Sequence, residues 1–586
     1  MKTFFALCLL ALVAGCSSGG SNSQGSAVVT ANQATGSITA KLDWGSPSKS
    51  SAKSVASAPA GVATVRIIVT GSGITPAIQK DFRADAGTGT IDGVPAGTGR
   101  TLTAQGLDAS ETVKFQGTVS NINVQAGLSS DAGTIAMIAN SAGAFRGNIV
   151  LGSPTNSSIM ANIFSPDQSG TVYITYGKYS GIYYNQTNPA SLAAAKPLEL
   201  ALGGLDADSL YYYRLFFQAT DGTVAGYTDE YTFHTARPAG STFTFSIQGD
   251  SHPEREQNQF DPELYRRTLL TAAADKPDFY IAIGDDFSVD TLDPTKVTAA
   301  QVTERYTIQR PYLGLIGRSA PLFLVNGNHE QAARYLLDGT PNNVAVWAQN
   351  ARNTHYSQPA PDGFYTGNTE QVPYIGLLRN HFAWSWGDAL FVVIDPYWAS
   401  PICVDNPFYG GAKRTNLWEI THGDAQYQWL KSTLEQSRAK YKFVFAHHVM
   451  GTGRGGIELA GQYEWGGLNG KGLWEFTSNR PGWASPMHQL MVANHVTIFF
   501  QGHDHIWARQ QLDGVIYQTL PEPADPFYTL YNSDAFLSGD KFPNTGYTRV
   551  TVSPSAVKVD YIRTWLPNDE GTGKVNGSTA FSYTIP

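Results

Sequence analysis

Six of the chain's 12 histidines fall in five short polar clusters, each directly after a largely apolar run. FTFSIQ is followed by Gly249-Asp250-Ser251-His252, FYIAI by Gly284-Asp285-Asp286, and LFLVN by Gly327-Asn328-His329-Glu330. KFVFA is followed by His447-His448, and VTIFFQ by Gly502-His503-Asp504-His505. Histidines scattered through a core or over a surface would not concentrate in this way. Imidazole, carboxylate and amide oxygen together suit Zn, Fe, Mn, Co or Ni better than Ca. Seven good ligands exceed what one tetrahedral ion needs but fit two ions sharing a carboxylate. Such a pair lowers the pKa of bound water from roughly 16 to about 7, which supplies a nucleophile for hydrolysis at neutral pH.

These clusters need rigid elements behind them. From Pro238 onward, apolar runs that read as strands alternate with helix-like segments, the pattern of α/β layering. Pro262 to Ala274 has helical spacing, with Leu264, Leu269, Leu270 and Ala273 forming the expected buried stripe. Asp424 to Lys440 does likewise with Tyr427, Leu430 and Leu434, and leads into a strand from Tyr441 to Ala446. Open α/β sheets build sites outside the carboxyl ends of their strands, so five strand ends are expected to deliver these side chains to one place. Glycine precedes the polar cluster in four of the five, which permits a sharp turn with no side chain in the way.

The order Asp-x-His, Gly-Asp, Gly-Asn-His-Glu, His, Gly-His-x-His, spread over residues 249 to 505, resembles the calcineurin-like metallophosphoesterase superfamily. The resemblance implies two mixed β-sheets flanked by helices and two transition metal ions, divalent or trivalent, of Fe, Mn or Zn. It assigns Asp250, His252 and His505 to one ion and Asn328, His447 and His503 to the other, with Asp285 bridging. His329 is then expected to protonate the leaving alkoxide or stabilise the charged transition state, the alternative being a buttress for Asn328. His448 is expected behind the ligands or facing substrate. Arg255 and Arg454 are candidates for gripping a phosphate, with ordinary salt bridges as the alternative. Purple acid phosphatases carry a tyrosine three residues after the bridging aspartate, where this chain has Ser288, so a colourless or weakly coloured enzyme is expected. Some phosphodiesterases of the superfamily place an aspartate there to orient the histidine; here Glu330 or Asp286 is the candidate for that task.

The rest of the chain reads as exported β-structure. Lys2, an apolar run from Phe4 to Ala14 and then Gly15-Cys16 form a stretch too short to span a bilayer, so it reads as a signal peptide. Val13-Ala14-Gly15-Cys16 resembles a bacterial lipobox, which implies cleavage before Cys16, its lipidation, and an envelope lipoprotein; Ser17 favours the outer membrane. Residues 16–35 are small and polar, as a tether would be. Residues 36–140 alternate apolar and polar residues between glycine-rich turns and read as an antiparallel, Ig-like β-sandwich. Residues 144–238 resemble a fibronectin type III module of the kind that precedes the catalytic domain in purple acid phosphatases. The fold expected is multidomain: two β-sandwiches, then an α/β metallophosphoesterase domain over 241–586. Cys403 is expected to be a small buried residue. Only 15% of residues are charged, and the net charge is -8. That acidity argues against a nucleic-acid partner. It leaves a small phosphorylated substrate open, because metal ions reverse the local field. A phosphatase acting on monoesters outside the cytoplasm leads; a phosphodiesterase with the same site and a non-catalytic adhesion lipoprotein are the alternatives.

Overall fold

A computed structural model describes residues 34–586 apart from 45–57, 60, 85–87, 110, 112, 141–142, 223, 294, 405–416 and 450–452. Cys16 and the leader around it lie outside the described residues. The chain divides into two compact units, one ending at Met137 and the other running from Ile138 to Pro586. Among the described residues no helix is long and apolar enough to cross a membrane.

The first unit is a β-sandwich. Strand Thr35–Asp43 lies between Thr88–Pro95 and Ser129–Ala136, and a second sheet orders Ile78–Arg83, Thr64–Thr70, Gly97–Leu107 and Val113–Val124. Alternating residues of both, among them Ile38, Val65, Ile67 and Leu102, fill the space between. Its first strand begins at Thr35, inside the expected tether. The sandwich is not wholly antiparallel, since Thr35–Asp43 pairs in parallel with Ser129–Ala136. Alternation records which face is buried but not which way the neighbour runs.

The second unit holds the other sandwich and the α/β region together. Strands Asn148–Gly152, Ser158–Phe164 and Leu198–Gly203 form one sheet of that sandwich, and Gly170–Gly177 and Leu210–Ala219 centre the other. Tyr211 Oη accepts the Asp206 N–H at 2.9 Å, pinning the turn into the aromatic strand. Helix Arg310–Gly317 of the α/β region packs against Asn148–Gly152. Arg310 is fully buried there and donates to Asn148 Oδ1 at 2.7 Å, Asn162 Oδ1 at 3.0 Å and the Asn162 carbonyl at 2.9 Å.

Two mixed sheets form the α/β core. One has the order Leu322–Leu324, Phe279–Ala282, Phe243–Gln248, Gly546–Val552, Val557–Arg563, Ser578–Ile585. The other includes Ala389–Val393, Tyr441–Phe445, Ile498–Gln501 and Val515–Thr519 as parallel neighbours. Phe245, Phe279, Phe391, Phe443 and Phe500 interdigitate between the sheets. The five runs that precede the polar clusters are all strands. Three belong to the first sheet and two to the second.

Helices cover the outer faces. Helix Pro262–Ala274 starts where Asp261 accepts the Leu264 N–H, with proline at its first position. It buries Leu264, Tyr265, Thr268, Leu269 and Ala272, so the stripe lies one residue round from the expected one, with Leu270 and Ala273 only half-buried. Thr268 can turn inward because its hydroxyl is satisfied by the Leu264 carbonyl at 3.0 Å. Helix Asp424–Gln436 buries Tyr427, Leu430 and Leu434 as expected and ends before Ser437, earlier than Lys440. Cys403 is half-buried rather than buried.

Candidate metal centre

The strand ends meet. Ligand atoms of Asp250, His252 and His505 lie within 4.8 Å of one another, as do those of Asp250, Asp285 and His447, of His252, Asp285 and His329, and of His447, His448 and His503. Each aspartate divides its two oxygens between frame and centre. Asp250 Oδ1 accepts the His503 N–H at 2.8 Å, and Oδ2 faces the Nε2 atoms of His505 at 3.1 Å and of His252 and His447 at 3.8 Å. Asp285 Oδ1 accepts the His329 N–H at 2.9 Å, and Oδ2 faces His447 Nε2 at 2.9 Å and His329 Nε2 at 3.6 Å.

The backbone is bent to make this possible. His252, Asp285, His503 and His505 all have positive φ, between 46° and 66°, an uncommon state for residues with a Cβ and one that clusters at functional sites. Of the four glycines before the clusters, only Gly284 is left-handed, at φ 106°. The others are needed for room. A Cβ at Gly327 would lie 2.1 Å from Asp285 Oδ1, and one at Gly502 would lie 2.5 Å from Asp250 Oδ1. At these two positions the Asp285 and Asp250 carboxylates occupy the volume that a side chain would take, and at Gly249 the Pro521 carbonyl does.

The histidines are aimed by their far nitrogens. Nδ1 of His252 faces Glu254 at 3.0 Å, Nδ1 of His505 faces Glu522 at 3.0 Å, and Nδ1 of His329 faces Asp290 at 2.7 Å. Nδ1 of His447 meets the Ile283 carbonyl at 3.0 Å, and Nδ1 of His448 meets Tyr397 Oη at 2.7 Å. For His252, His447 and His448 a hydrogen bond at Nδ1 fixes the ring plane and leaves Nε2 for the centre, while His505 and His329 have a carboxylate close to Nδ1. Asn328 sits between Gly327 and His329, both in contact with Asp285.

The charges agree with this layout. Burial alone would raise Asp250 and Asp285, but the imidazoles around them hold both far below the usual carboxylate range. His329 moves up to about 9: burial opposes this, and the Asp285 and Asp290 carboxylates outweigh it. His252 is pushed down to about 4, chiefly by burial. The His252 Nε2 and Asn328 Oδ1 atoms are buried and make no hydrogen bond, a costly state that a cation between them and the carboxylates relieves. The donor set therefore fits transition metal ions. His329, with 18% of its side chain exposed, is the most open of these groups.

Several positions differ from expectation. Neither Glu330 nor Asp286 orients His329. Glu330 accepts the main-chain N–H groups of Gly327, Asp286 and Phe287, and Asp286 accepts from Ser251 and Gln248. Asp290, on the short helical turn Val289–Thr291, takes that place. His448 stacks on His503 at 3.9 Å between ring centres, close enough to join the ligand cluster. Arg255 contacts Glu254 and Gln259, and Arg454 reaches the His503 carbonyl and lies 3.6 Å from Asp504, so both guanidinium groups are engaged by protein at the edge of the centre. Glu254, Asp290, Glu522 and Tyr397 were not foreseen. Only Glu522 had a signal, since it follows another parallel strand, Val515–Thr519.

A family model of the calcineurin-like phosphoesterases matches residues 243–507. Among solved structures the chain is similar to PhoD, at 14% identity and a TM-score of 0.53 over 75% of this chain and 89% of that one. It is also similar to the purple acid phosphatase PPD1 from yellow lupin (Lupinus luteus) seeds, at 14% identity and a TM-score of 0.47 over 94% and 96%. No curated protein matches the sequence. The family match begins on the strand that ends in Asp250 and closes just past His505, so the region that gathers the cluster is a calcineurin-like metallophosphoesterase domain and the protein a metal-dependent phosphoesterase.

Proposed function

We propose that this protein is an envelope-anchored phosphatase that hydrolyses phosphate monoesters outside the cytoplasm with two transition metal ions. Asp250, His252 and His505 would hold one ion, Asn328, His447 and His503 the other, with Asp285 shared. The observation that carries this reading is the convergence of these side chains on one buried centre. When bound, the ions would activate water and neutralise the phosphoryl charge.

The chain's own residues do the rest. Asp250 and Asp285 are locked by main-chain N–H groups, so no reorganisation is needed when substrate arrives. His329 presents Nε2 at the most open edge, where a proton can pass to the departing alkoxide oxygen, while Asp290 on Nδ1 stabilises the charged ring. The Cys16 lipid anchor and a small phosphorylated substrate complete the reading, and the acidic chain supports the absence of a nucleic-acid partner.

The test loads full-length protein with Zn, Mn or Fe and measures metal content beside hydrolysis of aryl phosphate monoesters and diesters. Two ions per chain and monoester turnover are expected, with Asp285→Asn reducing turnover by at least about a hundredfold. Equal activity in that variant rejects the bridging role. Cleavage of diesters alone replaces phosphatase by phosphodiesterase, and no cleavage of either leaves the adhesion reading. Loss of detergent-phase partitioning in Cys16→Ser tests the anchor.

A further inference from the structure

Helix Arg310–Gly317 is held at both ends by the second sandwich. At its start the buried Arg310 guanidinium donates to Asn148 Oδ1, to Asn162 Oδ1 and to the Asn162 carbonyl. At its end the Tyr213 hydroxyl donates to the Arg318 carbonyl at 2.6 Å. Between these ties, Gly314 and Gly317 let strand Asn148–Gly152 come close: an added Cβ would lie 3.0 Å from Asn148 Cβ and 3.1 Å from Val150 Cγ1. The helix is seated on the sandwich with little room to shift. The residue before it faces the other way. Gln309 is fully buried, and its Nε2 donates to Ser251 Oγ and to the Asp286 carbonyl, both at 2.7 Å. Ser251 lies between Asp250 and His252, and Asp286 follows Asp285. Ser251 Oγ in turn donates to Asp286 Oδ1 at 2.7 Å. One amide thus braces the loops that follow Phe243–Gln248 and Phe279–Ala282, the two that carry both aspartates of the centre.

From this juxtaposition, and resting on the two-ion reading above, we propose that Gln309 is a positioning residue for the metal centre and that the second sandwich, through Arg310, fixes Gln309. The two residues are consecutive, and the backbone at Gln309 is helical, with φ -76° and ψ -21°, so no flexible link separates the side chain on the sandwich from the side chain on the ligand loops. A shift of the helix start on the sandwich is passed directly to Ser251 and Asp286. Misplacing reacting groups by about 1 Å costs on the order of 100-fold in rate, so even a partial loosening of this brace is felt in turnover. The sandwich is then a working part of the hydrolase rather than an appended module.

Visible absorption of Co²⁺-loaded full-length protein reads the ligand geometry without turnover. Gln309→Met keeps the volume and removes both donated hydrogen bonds. Its d–d bands are expected to shift, and kcat on an aryl phosphate monoester to fall about tenfold or more with KM within about twofold. Asn162→Ala lies in sandwich strand Ser158–Phe164 and removes one acceptor of Arg310; it is expected to shift the bands the same way and to lower kcat less. In the double variant the loss in kcat should fall short of the product of the single losses by more than about twofold, the mark of one shared path. Tyr211→Phe, which loosens the sandwich at the Asp206 turn, is the control and should leave the bands unchanged. Circular dichroism reports the fold of each variant, and should Gln309→Met fail to fold, the bands of Asn162→Ala alone decide. Unchanged bands and kcat in Gln309→Met overturn the positioning role. Unchanged bands in Asn162→Ala, losses that multiply within about twofold, or an equal shift in Tyr211→Phe overturn the link to the sandwich. Each of these leaves the two-ion centre standing, whereas wild-type protein that takes up no Co²⁺ removes that reading itself.

Discussion

Both N–H groups of the turn at Val289 and Asp290 donate to the His329 carbonyl, at 3.0 and 3.3 Å, while the Asp290 carboxylate takes the ring's Nδ1. One turn thus faces both the main chain and the side chain of His329, the proposed acid. Replacing Asp290 by Asn leaves volume but removes the charge that stabilises imidazolium. The expected result is a fall in kcat of about 10- to 100-fold for alkyl phosphates, a smaller fall for aryl phosphates, and KM within about twofold. Steady-state kinetics on the two ester types checks it. An equal loss for both would show that Asp290 only supports the loop. This dyad was hidden in the sequence because Asp290 lies five residues past Asp285, and only the short helical turn brings it back to His329. The proposed metal ligands were legible as a set, since each lies within four residues of a strand's end.

Glycine before a ligand is a matter of space as much as of backbone freedom. At Gly327 the φ is ordinary, yet an added methyl would collide with Asp285 Oδ1. Gly327→Ala is therefore expected to keep its far-UV circular dichroism while binding fewer than two ions per chain, as measured by elemental analysis. Full metal occupancy in that variant would count against the Asp285 assignment. At this scale the alternation of strands and helices was readable because apolar runs of four to six residues, bounded by Gly and polar clusters, have few other readings. Which of the two sheets each strand joined was not readable, nor was the parallel pairing in the first sandwich. Both depend on long-range partners that leave no local mark. The shifted stripe of helix Pro262–Ala274 has a similar origin, since Tyr265 and Thr268 bury hydroxyls whose partners lie elsewhere in the fold.

Across the second unit, Arg310 joins sandwich to α/β region. Burial pushes it down to about 10, so it stays charged at neutral pH although its hydrogen bonds to Asn148, Asn162 and His355 all go to neutral oxygens. Arg310→Met should leave several of those acceptors unsatisfied and cost about 3 kcal/mol or more in urea unfolding. A change below about 1 kcal/mol would mean that other contacts hold the sandwich in place. Stability should also depend on pH. Burial, with the charge of nearby His422, pushes His381 down to about 3, and burial pushes His355 down to about 4, from 6.5. Both rings are neutral when folded and gain a proton on unfolding within that window, so their contribution is complete above pH 6.5 and is lost as pH falls toward 4 and 3. Urea midpoints should be lower at pH 5 than at pH 7.5, and His381→Asn should shrink the difference; an unchanged difference would refute the assignment. Finally, the strand ends that converge on the centre come three from one sheet and two from the other. An ion seated there is a rivet through both layers as well as a reagent, and whatever binds the folded form alone raises its stability. A cell starved of transition metals would then hold not merely an idle hydrolase but a looser one, whose lifetime against proteases is rationed by the same supply as its turnover.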